Sequence, residues 1–599
     1  MPPRSLLVSS RNIAFLLYDW LDTQELLTRP QFQANTRDDV DSFLELAHTI
    51  AQEQFEPLAR LLDDQAPYVD ETGHVWHPDE LRKALQAYGA AGLSTALFPE
   101  RVGGPQLPYS VVQALFLPFQ AASVGASAYP LLGAGAANLM LQHASPEQIQ
   151  RYAQPIIDGH WYGTMALSEP GVGSSLADVR TKAVLQDDGD FRLFGSKMWI
   201  SGGDHSLTDN IVHMVLARST DAPGTKGLSL FIVPKVLVNE DGSLGERNDV
   251  ALVGLNHKMG GRANTNTLLA FGDGTFSPGG QAGAVGYLVG EEGDGLAAMF
   301  AMMNEARISV GATAVALGYA GYLQALAYAR TRTQGRPLST KDTSTPMVPI
   351  TEHTDVRRML LAQKTYVEGG LALVLYCGRL IDEQESGEPE SAKRAAVLLD
   401  VLTPIVKSWP AQWCLEANDL AIQIHGGAGY TTDHVVEMLY RDARINDIFE
   451  GTRGIQGMDL LGRKVIMDDR AGLHLLLSTM RGTVASAAEA GAEAAGYAAA
   501  LAAAVDELER VTDEVWAPDD RELALANATL YLEAAGHVVV AWIWLEQLLH
   551  VRGDDGFARG KRAAAQYFFA YELPKTTSTF HLLRALDRTA LDLDPDDLE

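Results

Sequence analysis

Hydrophobic positions fall at helical spacing through the first 160 residues. Val40, Phe43, Leu44, Ala47, Ile50 and Ala51 lie at i, i+3, i+4, i+7 positions, and Phe55 and Leu58 extend the stripe. Such a stripe predicts amphipathic helices over 1–160. Ser145-Pro146-Glu147 reads as a capped helix start with proline in its first position. The pattern then changes. Apolar runs at Ile211–Leu216 and Leu228–Val233 are punctuated by Asp187-Asp188-Gly189-Asp190 and Glu240-Asp241-Gly242. These predict short strands and turns, an antiparallel β-domain over 161–290. Helical spacing returns at about 295 and runs to 468, interrupted by a Pro/Ser/Thr-rich loop at 336–355. Residues 484–505 are nearly all alanine, with Glu489 and Glu493 four apart, and read either as a strong helix or as a linker. Residues 506–590 add amphipathic helices that carry Trp516, Trp542 and Trp544. The expected architecture is mainly α with an inserted antiparallel β-domain. Its segments are 1–160, 161–290, a helical bundle at 291–468, and a C-terminal helical extension at 469–599.

Composition narrows the function classes. A chain of 599 residues holds about four domain-sized units, and 47% hydrophobic content supports large cores. The net charge of −29 repels nucleic acid and anionic membranes. Such a surface suits a basic patch on a protein partner or simply solubility. The two cysteines, Cys377 and Cys414, sit in apolar helical text without metal spacing and read as buried thiols of a reducing compartment. The opening Met1-Pro2-Pro3-Arg4-Ser5 lacks the basic and apolar regions of a signal peptide. The apolar run Val538–Leu545 is too short to cross a bilayer, and the final Asp-Asp-Leu-Glu is no peroxisomal address. A cytoplasmic protein without an integral membrane segment is expected.

The stretch richest in chemistry is Arg441–Thr452. Glu450 follows the apolar pair Ile448-Phe449 and precedes Gly451. Apolar neighbours penalise an ionised carboxylate and raise its pKa. A carboxylate nearer neutrality can take a weakly acidic carbon proton, and the glycine lets a ligand come close. Five further stretches bear on binding. Met165–Ser174 is a β-like entry into a Pro/Gly turn flanked by hydroxyls, whose N–H groups suit an anion or a carbonyl-rich ring; a plain turn explains it as well. In Lys197–Gly203, Trp199 suits a planar cofactor with Ser201 bonding to it, or is an ordinary buried strand tryptophan. Asn304-Glu305-Ala306-Arg307, at the start of a helical run, offers an arginine to a phosphate or to solvent. Arg332, near Gly335, suits a diphosphate or caps a helix end. Gln423–Tyr430 places consecutive glycines where backbone can cradle phosphate or ribose. His425 has no neighbour at metal-ligand spacing, so no metal is expected. Gly133-Ala134-Gly135 lies in helical text and does not make a Rossmann turn, and Walker, HExxH and GxSxG motifs are absent.

In order and spacing, SEPGVGSS, KMWISGG, NEARI, TRTQG, QIHGGAGY and RDARINDIFEGT resemble the acyl-CoA dehydrogenase family over residues 40–465. Ser10–Leu17, Gly227–Lys235, Gly245–Val250 and Asn256–Gly260 are similar to its long branch with an extra C-terminal helical domain, which includes the 3-methylmercaptopropionyl-CoA dehydrogenases. The resemblance implies an α-bundle, β-domain, α-bundle fold plus the extension, with FAD between the β-domain and the second bundle. It implies flavin contacts at Met165, Leu167, Ser168, Gly173 and Ser174, with Leu167 and Ser168 at the pyrimidine end, at Trp199, Ile200 and Ser201, and at Thr452. It places Arg332, Gln423, Gly426 and Gly427 on the FAD of a neighbouring subunit, which implies at least a dimer. Ser174, Asn304, Arg307 and Gly451 are the implied acyl-CoA positions. Departures are Ser175 for an aspartate, Asn304 for an acid, a shortened Arg332 segment and Ala263 for a glycine.

The implied reaction is α,β-dehydrogenation of an acyl-CoA, on a fatty acyl or 3-methylmercaptopropionyl group. Glu450 is the base, flavin N5 the hydride acceptor, trans-2-enoyl-CoA the product and an electron-transfer flavoprotein the partner. In the family the thioester carbonyl is polarised by the ribityl 2′-hydroxyl and the N–H of the base, donors of the kind that stabilise developing charge by roughly 3–4 kcal/mol each. Members that place the base before the helix arginine would use position 306, which here is Ala306. The alternatives are an acyl-CoA oxidase, which passes electrons to oxygen, and a non-catalytic flavin scaffold.

Overall fold

A computed structural model describes residues 5–599 apart from 188, 340, 341 and 343, and the backbone alone at 300–303. Met1–Arg4 of the opening and Asp188 of the acidic turn lie outside the described residues. Contacts group the chain into two compact units. One comprises residues up to 40, 108–117 and 307–599; the other comprises 41–107 and 118–306.

In the second unit an eight-stranded sheet is built from β1 (Tyr162–Ala166), β2 (Lys182–Leu185), β3 (Phe191–Ser201), β4 (Ile211–Arg218), β5 (Leu228–Pro234), β6 (Val250–Leu255), β7 (Asn266–Phe271) and β8 (Ala284–Val289). The strand order is β6-β7-β3-β8-β5-β4-β1, with β2 against β3 and β4. Pairing is antiparallel except at β4, whose bonds to β1 and to β2 are parallel. The unbroken apolar runs of β4 and β5 have a direct cause: both faces are buried. Val212, Met214, Leu216, Leu228, Leu230 and Ile232 join a core with helical residues such as Ala136, Met140 and Ile156. Their alternates Val215, Ala217, Phe231 and Val233 join a second core made of strand residues. The helical text before the sheet is not wholly helical, since Tyr68–Val69 pairs with Val75–Trp76. Ser145 caps its helix through a reciprocal bond pair with Gln148.

The first unit is helical. Its main elements include α1 (Gly295–Thr331), which begins in the other unit, α2 (Thr354–Ser386), α3 (Pro389–His425), α4 (Arg453–Asp459), α5 (Ala471–Glu489), α6 (Ala492–Trp516) and α7 (Ala528–His550). The alanine-rich stretch is helix on both sides of a break at Gly491, whose φ is +127°. Asn304 and Arg307 do not open a helix as the sequence suggested; α1 starts nine residues before Asn304, at Gly295. Helices α1 and α3 cross closely. A Cβ on Gly311 would stand 2.2 Å from the Val406 carbonyl, and one on Gly318 would stand 2.7 Å from Cys414 Cβ. Pro410, inside α3, cannot donate to that Val406 carbonyl, so a bare glycine backbone can sit against it. Arg307 lies one turn before Gly311 and Lys407 next to Val406, so the crossing brings two cations together.

The run-length argument against a membrane span needs correction. Val538–Leu545 belongs to the 23-residue α7, and Val124–His143, Gly295–Thr331 and Ala528–His550 are all long and apolar enough to cross a bilayer. Packing accounts for much of that apolar surface: 83% of the most apolar window of α7 is buried. Cys377 and Cys414 are buried free thiols, and burial pushes both thiol pKa values up.

Candidate functional site

The catalytic candidate sits at the apex of a strained turn. The chain leaves a short 3₁₀ segment, Arg444–Asp447, and enters α4 at Arg453. Between them Glu450 has φ +55° and Gly451 φ +93°. A left-handed glutamate costs about 1–3 kcal/mol and persists only where neighbours over-determine it. They do so here. Lys407 Nζ donates to the Gly451 carbonyl at 2.7 Å, and Gln456 Nε2 donates to the Glu450 carbonyl at 3.0 Å. Arg453 Nε donates to Asp447 at 3.0 Å, and its Nη2 bonds the other carboxylate oxygen. Lys407 and Gln456 are fully buried. The backbone N–H groups of Glu450, Gly451 and Thr452 meet no acceptor among the described residues, which leaves donors for a ligand carbonyl.

Glu450 is reached by solvent, yet protein crowds it closely enough that desolvation dominates. Its pKa is raised by that burial, against the opposing pull of Arg307 and then Lys407. Desolvation is the cause the sequence led one to expect, although Ile448 and Phe449 are themselves 46% and 40% exposed. Burial lowers Lys407 to about 8, although Asp447 and Glu450 favour its charged form. Arg307 is not the solvated arginine of the bland reading. It is buried, pairs with Asp459 at 3.1 Å, and keeps a buried Nε without a partner among the described residues.

The β-domain supplies the other half of the expected residues. Met165, Leu167 and Ser168 are half-buried; Gly173 and Ser174 are exposed. A Cβ at Gly171 or Gly173 would meet nothing within 4 Å, so the turn has an open face. Its base is rigid. Lys197 Nζ donates to the Leu167 carbonyl at 2.8 Å and to Glu169 at 3.0 Å. Glu169 also accepts from Arg180 N–H and from Thr181 N–H and Oγ1. Burial lowers Lys197 to about 8 while Glu169 pulls it up. Burial would raise Glu169, but Lys197, Thr181 and the backbone donors outweigh it and hold it low.

Trp199 is not a buried strand tryptophan. It is 61% exposed, with φ +67°. The register gives the reason: Ile200 pairs with Thr267 and Lys197 with Leu269, so β3 carries one more residue than β7 there. The bulge turns the indole outward while Ile200 stays buried and Ser201 half-buried. An exposed indole beside an open Gly-rich turn is what a flat aromatic cofactor such as a flavin requires, and these residues fit one.

Most of the remaining candidates are exposed. The Arg332 guanidinium caps no carbonyl and has no partner among the described residues. Gln423, Gly426 and Gly427 are exposed, with open space at both glycines. Thr452 is exposed, and its side chain makes no capping bond to α4. Asn304 is half-buried. His425 turns inward, bonding the Ala421 carbonyl at 2.7 Å and stacking on Tyr328 at 4.2 Å, and no metal-binding group occurs among the described residues. Sequence reasoning missed Lys197, Glu169, Lys407, Arg453 and Gln456 as supports. The signal was a charge inside apolar text, plain for Lys197 and Lys407, which have no sequence neighbour to pair with.

Known proteins match this arrangement along the whole chain. Residues 37–160, 164–261 and 293–465 match the N-terminal, middle and C-terminal domains of acyl-CoA dehydrogenase, and 476–594 match the acetyl-CoA dehydrogenase C-terminal-like domain. The chain is 36% identical to the 3-methylmercaptopropionyl-CoA dehydrogenase of Ruegeria pomeroyi, over 92% of this chain and 93% of that one. It is 34% identical to the broad-specificity linear acyl-CoA dehydrogenase FadE5 of Mycobacterium tuberculosis, over 98% of each. The acyl-CoA dehydrogenase of Bacillus anthracis, solved with FAD, shares the fold at a TM-score of 0.72 and 19% identity, over 98% of this chain and 93% of that one. The chain belongs to the acyl-CoA dehydrogenase family: it is an oxidoreductase of acyl-CoA thioesters, with FAD as its cofactor.

Proposed function

We propose that Glu450 takes the α-proton of a bound acyl-CoA, and that the product is the trans-2-enoyl-CoA. The observation that carries this reading is the strained turn: a carboxylate of raised pKa held at a left-handed apex by Lys407, Gln456 and Arg453. The α C–H bond breaks with its proton passing to the Glu450 carboxylate, and its electron pair forms the new C=C bond. When bound, FAD supplies the acceptor for the β-hydrogen that leaves as hydride. The unpaired N–H of Glu450 suits the thioester carbonyl, where it stabilises charge that develops as the proton leaves. A carboxylate of raised pKa is a stronger base toward so weak a carbon acid. Ala306 cannot act as the base.

Met165, Leu167, Ser168, Gly173, Ser174, Trp199, Ile200, Ser201 and Thr452 would hold the enzyme's own FAD. The free cation of Arg332, with Gln423, Gly426 and Gly427, would hold that of a second copy, so the working form is at least a dimer. Ser174, Asn304, Arg307 and Gly451 would meet the acyl-CoA, although Arg307 must then reach it from its pair with Asp459. A fatty acyl and a 3-methylmercaptopropionyl group are the substrate candidates, and an electron-transfer flavoprotein is the electron acceptor.

The test is anaerobic bleaching of the flavin by a panel of acyl-CoAs, methylthiopropionyl-CoA among them, in the native enzyme and in Glu450→Gln. The variant is expected to keep its yellow cofactor and lose reduction by roughly 10³-fold. Normal reduction would remove Glu450 from the reaction. Peroxide release in air, independent of an electron-transfer flavoprotein, would make the protein an oxidase.

A further inference from the structure

The turn that carries Glu450 is tied to the C-terminal extension through one arginine. Asp447 stands three residues before Glu450 and Arg453 three residues after it. The Arg453 fork on Asp447 therefore closes a staple across the turn, with Glu450 at its apex. The third arm of the guanidinium, Nη1, donates to Glu533 Oε1 at 3.0 Å. Glu533 belongs to α7, inside the extension. The same helix meets α4 backbone to backbone. A Cβ on Gly457 would stand 2.8 Å from both the carbonyl carbon and the oxygen of Ala528, and the nearest atom to one on Gly454 is Thr529 Oγ1 at 4.0 Å. The helix that leaves the catalytic turn is thus seated on the start of α7, and the charge that orients Arg453 lies on that helix.

We infer that the extension takes part in the reaction: Glu533, acting through Arg453, holds the 447–453 turn in the shape that presents Glu450 to substrate. Arg453 and Glu533 are positioning residues, and the inference rests on Glu450 being the base. Its physical basis is the strain. A left-handed glutamate needs bonds on its flanks to persist. The bidentate fork sets the guanidinium plane against Asp447, and the Nη1 bond to Glu533 anchors that plane to a residue outside the turn. Asp447 alone would tie the turn to itself; Glu533 ties it to a second helix.

The experiment uses full-length, FAD-loaded enzyme, with every rate expressed per bound flavin. Glu533→Gln is expected to slow anaerobic flavin reduction by about tenfold, since small misplacement of a reacting group has effects of that order. KM should stay near the native value and the isotope effect with α-deuterated acyl-CoA should rise, because proton removal becomes the slower step. Glu533→Asp should restore part of the rate. Arg481→Gln breaks ion pairs to Asp506 and Glu509 elsewhere in the extension and should change neither quantity. A native rate and isotope effect in Glu533→Gln would overturn the inference, as would an equal loss in Arg481→Gln, which would mark general loosening. Should Glu533→Gln fail to fold or to hold FAD, Arg453→Lys poses the same question, since lysine keeps the charge but cannot bridge both carboxylates; an unchanged rate there also overturns it. An inert Glu450→Gln beside a native Glu533→Gln removes only the role of the extension, whereas an active Glu450→Gln removes the base itself.

Discussion

Glu450 and Trp199 share an unusual backbone: each is a large residue with positive φ, at +55° and +67°. The means of holding them differ. The Trp199 bulge is enclosed by the β3–β7 ladder on either side, by the Met198 N–H bond to the Ser168 carbonyl and by Thr267 Oγ1 on the Ile200 carbonyl. Backbone does most of that work. The Glu450 turn is held chiefly by side chains: Lys407, Gln456 and the Asp447–Arg453 fork. A conformation fixed by backbone tolerates substitution at the strained residue. One fixed by side chains fails when a distant residue changes. The cofactor side should therefore be robust to point changes outside its buried ion pair, and the base fragile.

The comparison breaks most severely where the β-domain does depend on a side chain. Lys197→Met leaves Glu169 buried and unpaired, and should lower stability by about 3–5 kcal/mol, read as the denaturant midpoint of the apoprotein. A loss under about 1 kcal/mol would mean that Thr181 and the backbone donors suffice for Glu169. Lys407→Met probes the fragile side. It removes the donor to the Gly451 carbonyl, and flavin reduction should slow by roughly tenfold. It also shifts the pH profile. The base must be ionised, so the rate rises with pH through the Glu450 pKa, which already lies above the ordinary glutamate value. Lys407 favours the ionised form; without it that pKa rises further and the acid limb moves to higher pH. A limb that stays put would show that burial and Arg307 set it without Lys407. The smallest effect lies at the bulge. Trp199→Gly should be more stable than Trp199→Ala by about 1 kcal/mol, because glycine adopts positive φ without strain. Both should weaken FAD binding, checked by cofactor titration of the apoprotein. Equal stability would mean the backbone relaxes once the indole is gone.

The helical and strand segments were legible because burial writes its period into the sequence. The stripe from Val40 to Leu58, helical with Val40, Ala47, Ala51 and Phe55 buried, and the doubly apolar β4 and β5 are examples. The candidate base was legible from its neighbours: desolvation raises the Glu450 pKa as expected, although Ile448 and Phe449 are partly exposed. The supports were not legible. Lys407 acts on a carbonyl 44 residues away and Glu533 on an arginine 80 residues away, and no local pattern encodes such pairing. The bulge at Trp199 was equally hidden, because one extra residue in a strand leaves the alternation nearly intact. The run-length argument failed for a related reason: an unbroken apolar run undercounts a helix whose polar residues are spread along its length, as in α7.

The close crossing at Gly311 gives an inconspicuous residue unexpected reach. Any side chain there must push against the Val406 carbonyl, and the two helices would part at the level where Arg307 and Lys407 sit. Acidity at Glu450 would then drift although neither it nor its turn had been altered. Variation at this glycine is thus one way in which descendants of this chain could retune their working pH, or lose it, through the spacing of two rods.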